Sequence, residues 1–304
     1  LLALSMAHVI ISDGNAEASV ADAITGGAGL AALEQYKPEN VESHTGVSHD
    51  VIEKLARDFV DNQPGIAIGG GSAAAHTNGL FNLTWIYALN LLVGNVGKPG
   101  GIIFNPDPPL KELKSAGKVS SFGDLLAVRD RLNAGDTKLA LIHNANPSYG
   151  LPGSVGFGEA LGKAYVVSFS SFMDETTAQA DLILPDHVYL EDWGSNIPEP
   201  GPGYQTVGFQ QPVVRPYLSD SSSGAGGTRS FPNVLLDVSK RVGGNAANQM
   251  SDNNFLEFLQ TEANKLFKLN RGSINSSDFR EFWNGILQRG GWWDTDSKKH
   301  PPMK

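Results

Sequence analysis

Three short apolar runs constrain this chain more than any other feature. Leu139-Ala-Leu-Ile142, Tyr165-Val-Val-Ser-Phe169 and Leu182-Ile-Leu184 are continuous rather than alternating, and helical stretches separate them. Strands of this kind belong to a parallel sheet with both faces covered, because joining parallel strands needs helical crossovers. Ile66-Ala-Ile68, behind an amphipathic stretch, reads as a further buried strand. The expected fold class is α/β: an open, mainly parallel, Rossmann-like sheet with helices on both faces, plus a helical C-terminal segment.

The spacing predicts a helix over 48–62, N-capped by Ser48, with Val51, Ile52, Leu55 and Phe59 on one face. Asp50–Lys54 and Glu53–Arg57 supply i,i+4 pairs, and Pro64 ends it. The stretch 78–93 is apolar nearly all round, so a helix covered on both sides is expected there, shorter than a membrane span. Further helices are expected over 122–133, 156–161, 174–180, 234–242, 253–267 and 277–287. Residues 104–118 are proline-rich and read as a surface excursion. The domain expectation is an α/β domain over 1–220, a flexible loop over 221–233 and a helical extension over 234–304. The opening LLALSMAHVI reads as a helix entered part-way, so a piece of a longer polypeptide is expected.

A formal charge of -9 and a pI near 5.2 argue against nucleic acid and anionic membrane surfaces, since such a chain repels phosphate polymers. There is no cysteine. Disulfides, thiolate-bound zinc, iron–sulfur clusters and a cysteine nucleophile are therefore excluded within this stretch.

Ligands of open parallel sheets bind beyond the carboxyl ends of the strands. Four such ends carry GGGSAAAHTNG (69–79), HNANPSYGLP (143–152), SFSSFMDE (168–175) and PDHVYLEDWG (185–194). All are rich in glycine, asparagine or hydroxyls, suited to an extended polar ligand. Gly69-x-Gly71-x-x-Ala74 nearly matches a dinucleotide fingerprint, but no Asp or Glu stands between Leu80 and Pro106 to hold a ribose. A tight turn and close helix packing explain those glycines equally well. Thr77 reads equally as a simple N-cap, Asn144 and Asn146-Pro147 as a turn, and Asp174 or Ser171 as a cap. Asp186, Glu191 and Asp192 beside His187 read as a solvated face rather than as hydrolytic carboxylates or a metal site.

The order of these pieces resembles the third domain of the molybdopterin oxidoreductases, the dimethyl-sulfoxide-reductase superfamily. TGVSHDVIEKLARDF, a strand, GGGSAAAHTNG and LNLLVGNVGKPGG stand in that order. LALIHNANPSYGLP is similar to its strand and Asn-Pro turn. DETTAQADLILPDHVYLEDWG is similar to its most specific block. The resemblance implies a site for one half of a bis-molybdopterin guanine dinucleotide. Gly69, Gly71, His76, Thr77 and Asn78 would line one phosphate turn, and Asn144, Asn146 and Pro147 the next. Ser170, Glu175, Thr176, Asp181 and Asp186 would face the nucleotide end, where a carboxylate can accept two N–H bonds from guanine. The family's metal-binding side chain and cluster cysteines lie N-terminal to the matched region, so neither redox centre is expected here.

A narrower resemblance is to the large iron–sulfur subunits of alternative complex III, carried by HNANPSYGLP with GFGEAL, QQPVVRPYLSD, VLLDVSKRVGG and FWNGILQRGGWW. It implies a quinol:electron-acceptor oxidoreductase on the periplasmic face of the bacterial inner membrane. The expected partners are haem c subunits and a quinol-oxidising membrane subunit, with no membrane span here. In those subunits the molybdopterin-like part keeps the fold without the cofactor, and iron–sulfur clusters elsewhere carry the electrons. After Gly194 this chain has SNIPEPGPGYQTVGFQQP where cofactor-holding members have an Asn-x-Glu-Gly-Arg-type segment. The expectation is therefore a structural, cofactor-free role, with Trp85, Trp193, Trp283, Trp292 and Trp293 as core or interface anchors. An active bis-pterin molybdenum or tungsten reductase of sulfur or nitrogen compounds is the alternative. An ordinary nucleotide-binding α/β protein ranks third.

Overall fold

The computed structural model describes residues 1–110, 113, 119–199, 201–216 and 227–297. The excursion expected over 104–118 is therefore described only at 104–110 and 113. Of the expected flexible loop over 221–233, residues 221–226 lie outside the described residues. The chain divides into two compact units, Leu1–Asn105 and Pro106–Lys298.

The first unit is helical: α1 (Leu2–Ser12), α2 (Ala18–Ile24), α3 (Pro38–Thr45), α4 (His49–Asp61) and α5 (Gly79–Leu92). Its core gathers Leu4, Ala7, Val9 and Ile10 of α1, Ala56 of α4, and Leu89 and Leu92 of α5. The buried stripe of α4 is Ile52 and Ala56, whereas Val51 and Leu55 are exposed. The stripe is thus rotated from the expected one. Helix α5 is covered on one side only, with Leu80, Phe81 and Tyr87 exposed on the other.

Ile66–Ile68 forms no strand. The Asn90 side chain takes the place of a neighbouring strand: its Oδ1 accepts the Ala67 N–H at 2.8 Å and its Nδ2 donates to the Ala67 carbonyl at 2.9 Å. One fully buried amide thus pairs both backbone groups of Ala67.

The second unit holds α6 (Phe122–Ala134), β1 (Leu139–Ile142), α7 (Pro147–Gly150), α8 (Phe157–Leu161), β2 (Tyr165–Ser168), β3 (Leu182–Ile183), β4 (Gly194–Asn196) and β5 (Gln205–Gln210). It continues with α9 (Phe231–Val242), α10 (Gly244–Gln249), α11 (Phe255–Phe267), α12 (Phe279–Arg289) and β6 (Gly291–Asp294). Strands β1, β2 and β3 make a parallel sheet in that order, with Ala140 beside Val166 and Ser168 beside Ile183. Val128, Leu132, Ala160 and Leu161 of α6 and α8 cover the face bearing Ala140, Ile142 and Val166. On the other face Val167 is buried, while Leu139 and Leu141 are about half exposed. The α/β class is as the apolar runs imply.

Strands β4, β5 and β6 form a second, antiparallel sheet, which the sequence reading lacks. Its core joins Val207 and Phe209 of β5 to Leu259 and Leu266 of α11, Phe282 and Ile286 of α12, and Trp292 of β6. The C-terminal segment is therefore helical except at β6. Four of the five tryptophans belong to cores: Trp292 and Trp283 are buried, Trp193 packs against that core, and Trp85 packs in the first unit, whereas Trp293 is half-buried and joins neither core.

Candidate functional site

The parallel sheet delivers three polar tips to one place. His143 and Asn144 follow β1, Phe169 and Ser170 follow β2, and Pro185 and Asp186 follow β3. All of these but Pro185 border an open pocket of about 620 Å³, which Asp192, Trp193, Gln210 and Phe255 also line. Among the described residues its lining holds two aspartates and two histidines, and no Lys or Arg. Asn144 has a left-handed backbone (φ 51°), which asparagine tolerates in tight turns.

Asp186 is the hub. Its Oδ2 accepts the His143 Nε2–H at 2.7 Å, and its Oδ1 accepts the backbone N–H groups of His187 (2.8 Å) and Phe231 (2.7 Å). The Ser171 hydroxyl donates to its carbonyl at 2.7 Å. The Phe231 ring stacks on the His143 imidazole, with centroids 4.0 Å apart and planes 6° from parallel. Phe169 meets the same ring edge-on at 4.7 Å. Behind them His187 Nε2 donates to the Thr228 carbonyl at 3.1 Å, and its Nδ1 lies 3.9 Å from Asp192 Oδ1. Asp186 and Asp192 are thus largely enclosed, with side chains 18% and 17% exposed, rather than a solvated face. Glu191 accepts the Val188 N–H at 3.1 Å.

A second network ties the β1 and β2 loops together. Asn146 Nδ2 donates to Glu175 Oε2 at 2.6 Å, the Thr176 hydroxyl donates to Asn146 Oδ1 at 2.7 Å, and Ser148 N–H donates to Thr176 Oγ1 at 3.1 Å. Thr176 is buried, and Pro147 opens α7. The Ser170 hydroxyl donates to the Phe172 carbonyl at 2.9 Å and also lies 3.3 Å from Asp174 Oδ2. Burial pushes the Asp174 carboxyl up. The N–H and hydroxyl of Thr177, the Ser170 hydroxyl and the Thr176 N–H outweigh that and hold it below the ordinary range.

Asp181 stands elsewhere. Its Oδ2 accepts the Val166 N–H at 2.7 Å, near the start of β2, at the end of the sheet away from the pocket. The glycine loop belongs to the first unit. A Cβ on Gly69 would come within 2.8 Å of Leu83 and 2.9 Å of Ile86, so a larger residue there would have to displace the ends of those two side chains. Gly71 is left-handed (φ 53°). His76, Thr77 and Asn78 are exposed ahead of α5, and Asn78 rather than Thr77 takes the N-cap position.

Two residues of the Asp186 hub, His143 and Phe231, are not among the candidate site residues of the sequence. His143 had a signal, as the first residue after an apolar strand. Phe231 had none, because it lies 45 residues from Asp186 in sequence.

The fit of a pterin guanine dinucleotide to this pocket turns on Asp186. Guanine would need a carboxylate with free acceptors and a face to stack on. Three donors of this chain already hold the carboxylate, and Phe231 covers the imidazole. The phosphates would meet no cationic side chain among the described lining residues. The side chains present do not fit the group in this arrangement.

A molybdopterin oxidoreductase family model matches residues 1–216. The chain is 30% identical over 230 residues to the "Menaquinone reductase, molybdopterin-binding-like subunit" of Nitratidesulfovibrio vulgaris, covering 73% of this chain and 32% of that protein. It is 25% identical over 266 residues to a tetrathionate reductase subunit of Salmonella typhimurium, covering 69% of this chain and 26% of that protein. The chain thus spans about a third or less of these two relatives. Among solved structures, acetylene hydratase from Pelobacter acetylenicus superposes with a TM-score of 0.61 at 16% identity, covering 97% of this chain and 44% of that one. That likeness shows the fold alone. The match over residues 1–216, the α/β architecture and the polar tips at the ends of a parallel sheet lead to one conclusion: the chain belongs to the molybdopterin oxidoreductase family.

Proposed function

We propose that this chain is part of the molybdopterin-oxidoreductase-like subunit of a quinol:electron-acceptor oxidoreductase of the alternative complex III type. Residues 1–220 would be the family's α/β domain, kept as a cofactor-free scaffold, with electrons running through iron–sulfur clusters elsewhere in the subunit. Its partners would be haem c subunits and a quinol-oxidising membrane subunit, at the periplasmic face of the bacterial inner membrane. No described helix is long and apolar enough to cross a membrane, so attachment would be peripheral. The observation that carries the scaffold reading is the closed hub at Asp186, whose carboxylate is spent on donors of its own chain. The menaquinone reductase relative, named as molybdopterin-binding-like, supports the quinone-linked setting.

A second reading is an active molybdenum or tungsten reductase of sulfur or nitrogen compounds. The tetrathionate reductase and periplasmic nitrate reductase relatives, 25% and 23% identical, favour it. Purification of the full-length protein from detergent-solubilised membranes parts the two. The scaffold reading expects co-purifying haem c and multi-spanning subunits and quinol oxidation. A free enzyme reducing tetrathionate or nitrate would contradict it.

A further inference from the structure

The segment Thr228–Phe231 lies along the end of β3 as a short strap. Arg229 N–H donates to the Pro185 carbonyl at 3.1 Å, His187 Nε2 donates to the Thr228 carbonyl at 3.1 Å, and Phe231 N–H donates to Asp186 Oδ1 at 2.7 Å. Ordinary core packing would set Phe231 among aliphatic side chains. Instead its ring lies flat on an imidazole that is bonded to the same carboxylate. One residue thus supplies a stacked π-face and an N–H to the carboxylate. A seat of this kind would ask the same two contacts of a purine.

We infer that Thr228–Phe231 is a built-in occupant of a seat suited to a flat heterocycle with adjacent N–H donors, of the guanine class, and that it closes this seat to nucleotides. The inference rests on the cofactor-free reading and supplies its physical means. A tethered ring competes at a local concentration that a free nucleotide reaches only near the millimolar range. The strap therefore needs no special affinity to keep the seat shut.

The test uses the full-length protein in its complex and guanosine monophosphate as the probe. Isothermal titration is expected to show no saturable binding to the wild type. Phe231→Ala should bind at least about tenfold more tightly than the wild type, since a base regains the stacking face. Adding His143→Ala to that variant removes the stacking face and should abolish the gain. Phe231→Leu keeps apolar volume at the start of α9 and is expected to give a smaller gain; it serves if the alanine variant fails to unfold cooperatively. A reading independent of any variant is acylation by diethyl pyrocarbonate, followed peptide by peptide. In the wild type His143 should react more slowly than the exposed His76.

Equal acylation of His143 and His76 overturns the inference, as does a folded variant that ignores the nucleotide. Wild-type binding as tight as the variant's does the same. Pterin or molybdenum co-purifying with the wild type would defeat the cofactor-free reading itself. Pterin-free protein whose folded variants bind no nucleotide would defeat only the strap.

Discussion

Asn90 shows how much a single residue decides here. In the sequence it only interrupts an apolar helix, yet its buried amide pairs both backbone groups of Ala67. Asn90→Leu would leave a donor and an acceptor without their partner, at about 1–3 kcal/mol for each that stays dry. Urea unfolding should therefore show a loss of about 2 kcal/mol or more, and an unchanged midpoint would refute the pairing. The partner lies 23 residues away, so no local pattern reveals it. Gly272 is a second such site. Its backbone is left-handed (φ 95°), and a Cβ there would come within 2.4 Å of the buried Trp292 indole. Gly272→Ala should cost about 1–3 kcal/mol, read by thermal unfolding, because strain and overpacking act together. Asp174 gives a pH dependence of known sign. Its folded pKa lies below the ordinary 3.8, so its contribution is present above that value. The contribution is lost as pH falls through the lower folded value. Asp174→Asn should therefore shrink the stability difference between neutral and strongly acidic solution, and an acid limb identical to wild type would contradict the assignment.

At the scale of elements, continuous apolar runs were enough to place β1, β2 and β3, although α6 and α8 cover only the face bearing Ala140, Ile142 and Val166 and leave Leu139 and Leu141 half exposed. Helices with one apolar stripe were legible to within about a turn. Ile66–Ile68 looked like the other runs and formed no strand, since a side-chain amide supplies what a neighbouring strand would. The antiparallel sheet was illegible for a different reason. Strand β4 is Gly-Ser-Asn, β5 carries a glycine at its centre, and β5 pairs with β6 only through residues far apart in sequence. Helix α6 offers a clean test of local encoding. Ser121 and Asp124 form a reciprocal capping box, with Ser121 N–H on Asp124 Oδ2 at 2.7 Å and Asp124 N–H on Ser121 Oγ at 3.2 Å. Ser121→Ala should cost about 1 kcal/mol by denaturant unfolding, and a loss of nothing would show that α6 holds by packing alone.

For the molecule as a whole, fold and function were legible to different depths. The family could be read from the order of loops, because a parallel sheet collects its strand ends whatever lies between them. His143, Ser170 and Asp186 do meet around one pocket. Asp181 does not join them, because β3 enters the sheet there and its carboxylate serves the start of β2. What those tips do could not be read, because the decisive group, Phe231, reaches Asp186 from another part of the chain. The central claim is that the protein's own groups occupy the Asp186 carboxylate and one face of His143, and that the pocket carries no pterin nucleotide. Molybdenum and tungsten content, measured with oxidised-pterin fluorescence on the full-length protein purified from its native membrane, tests this most directly. The account predicts iron without stoichiometric molybdenum, tungsten or pterin. One metal and two pterins per polypeptide would contradict it.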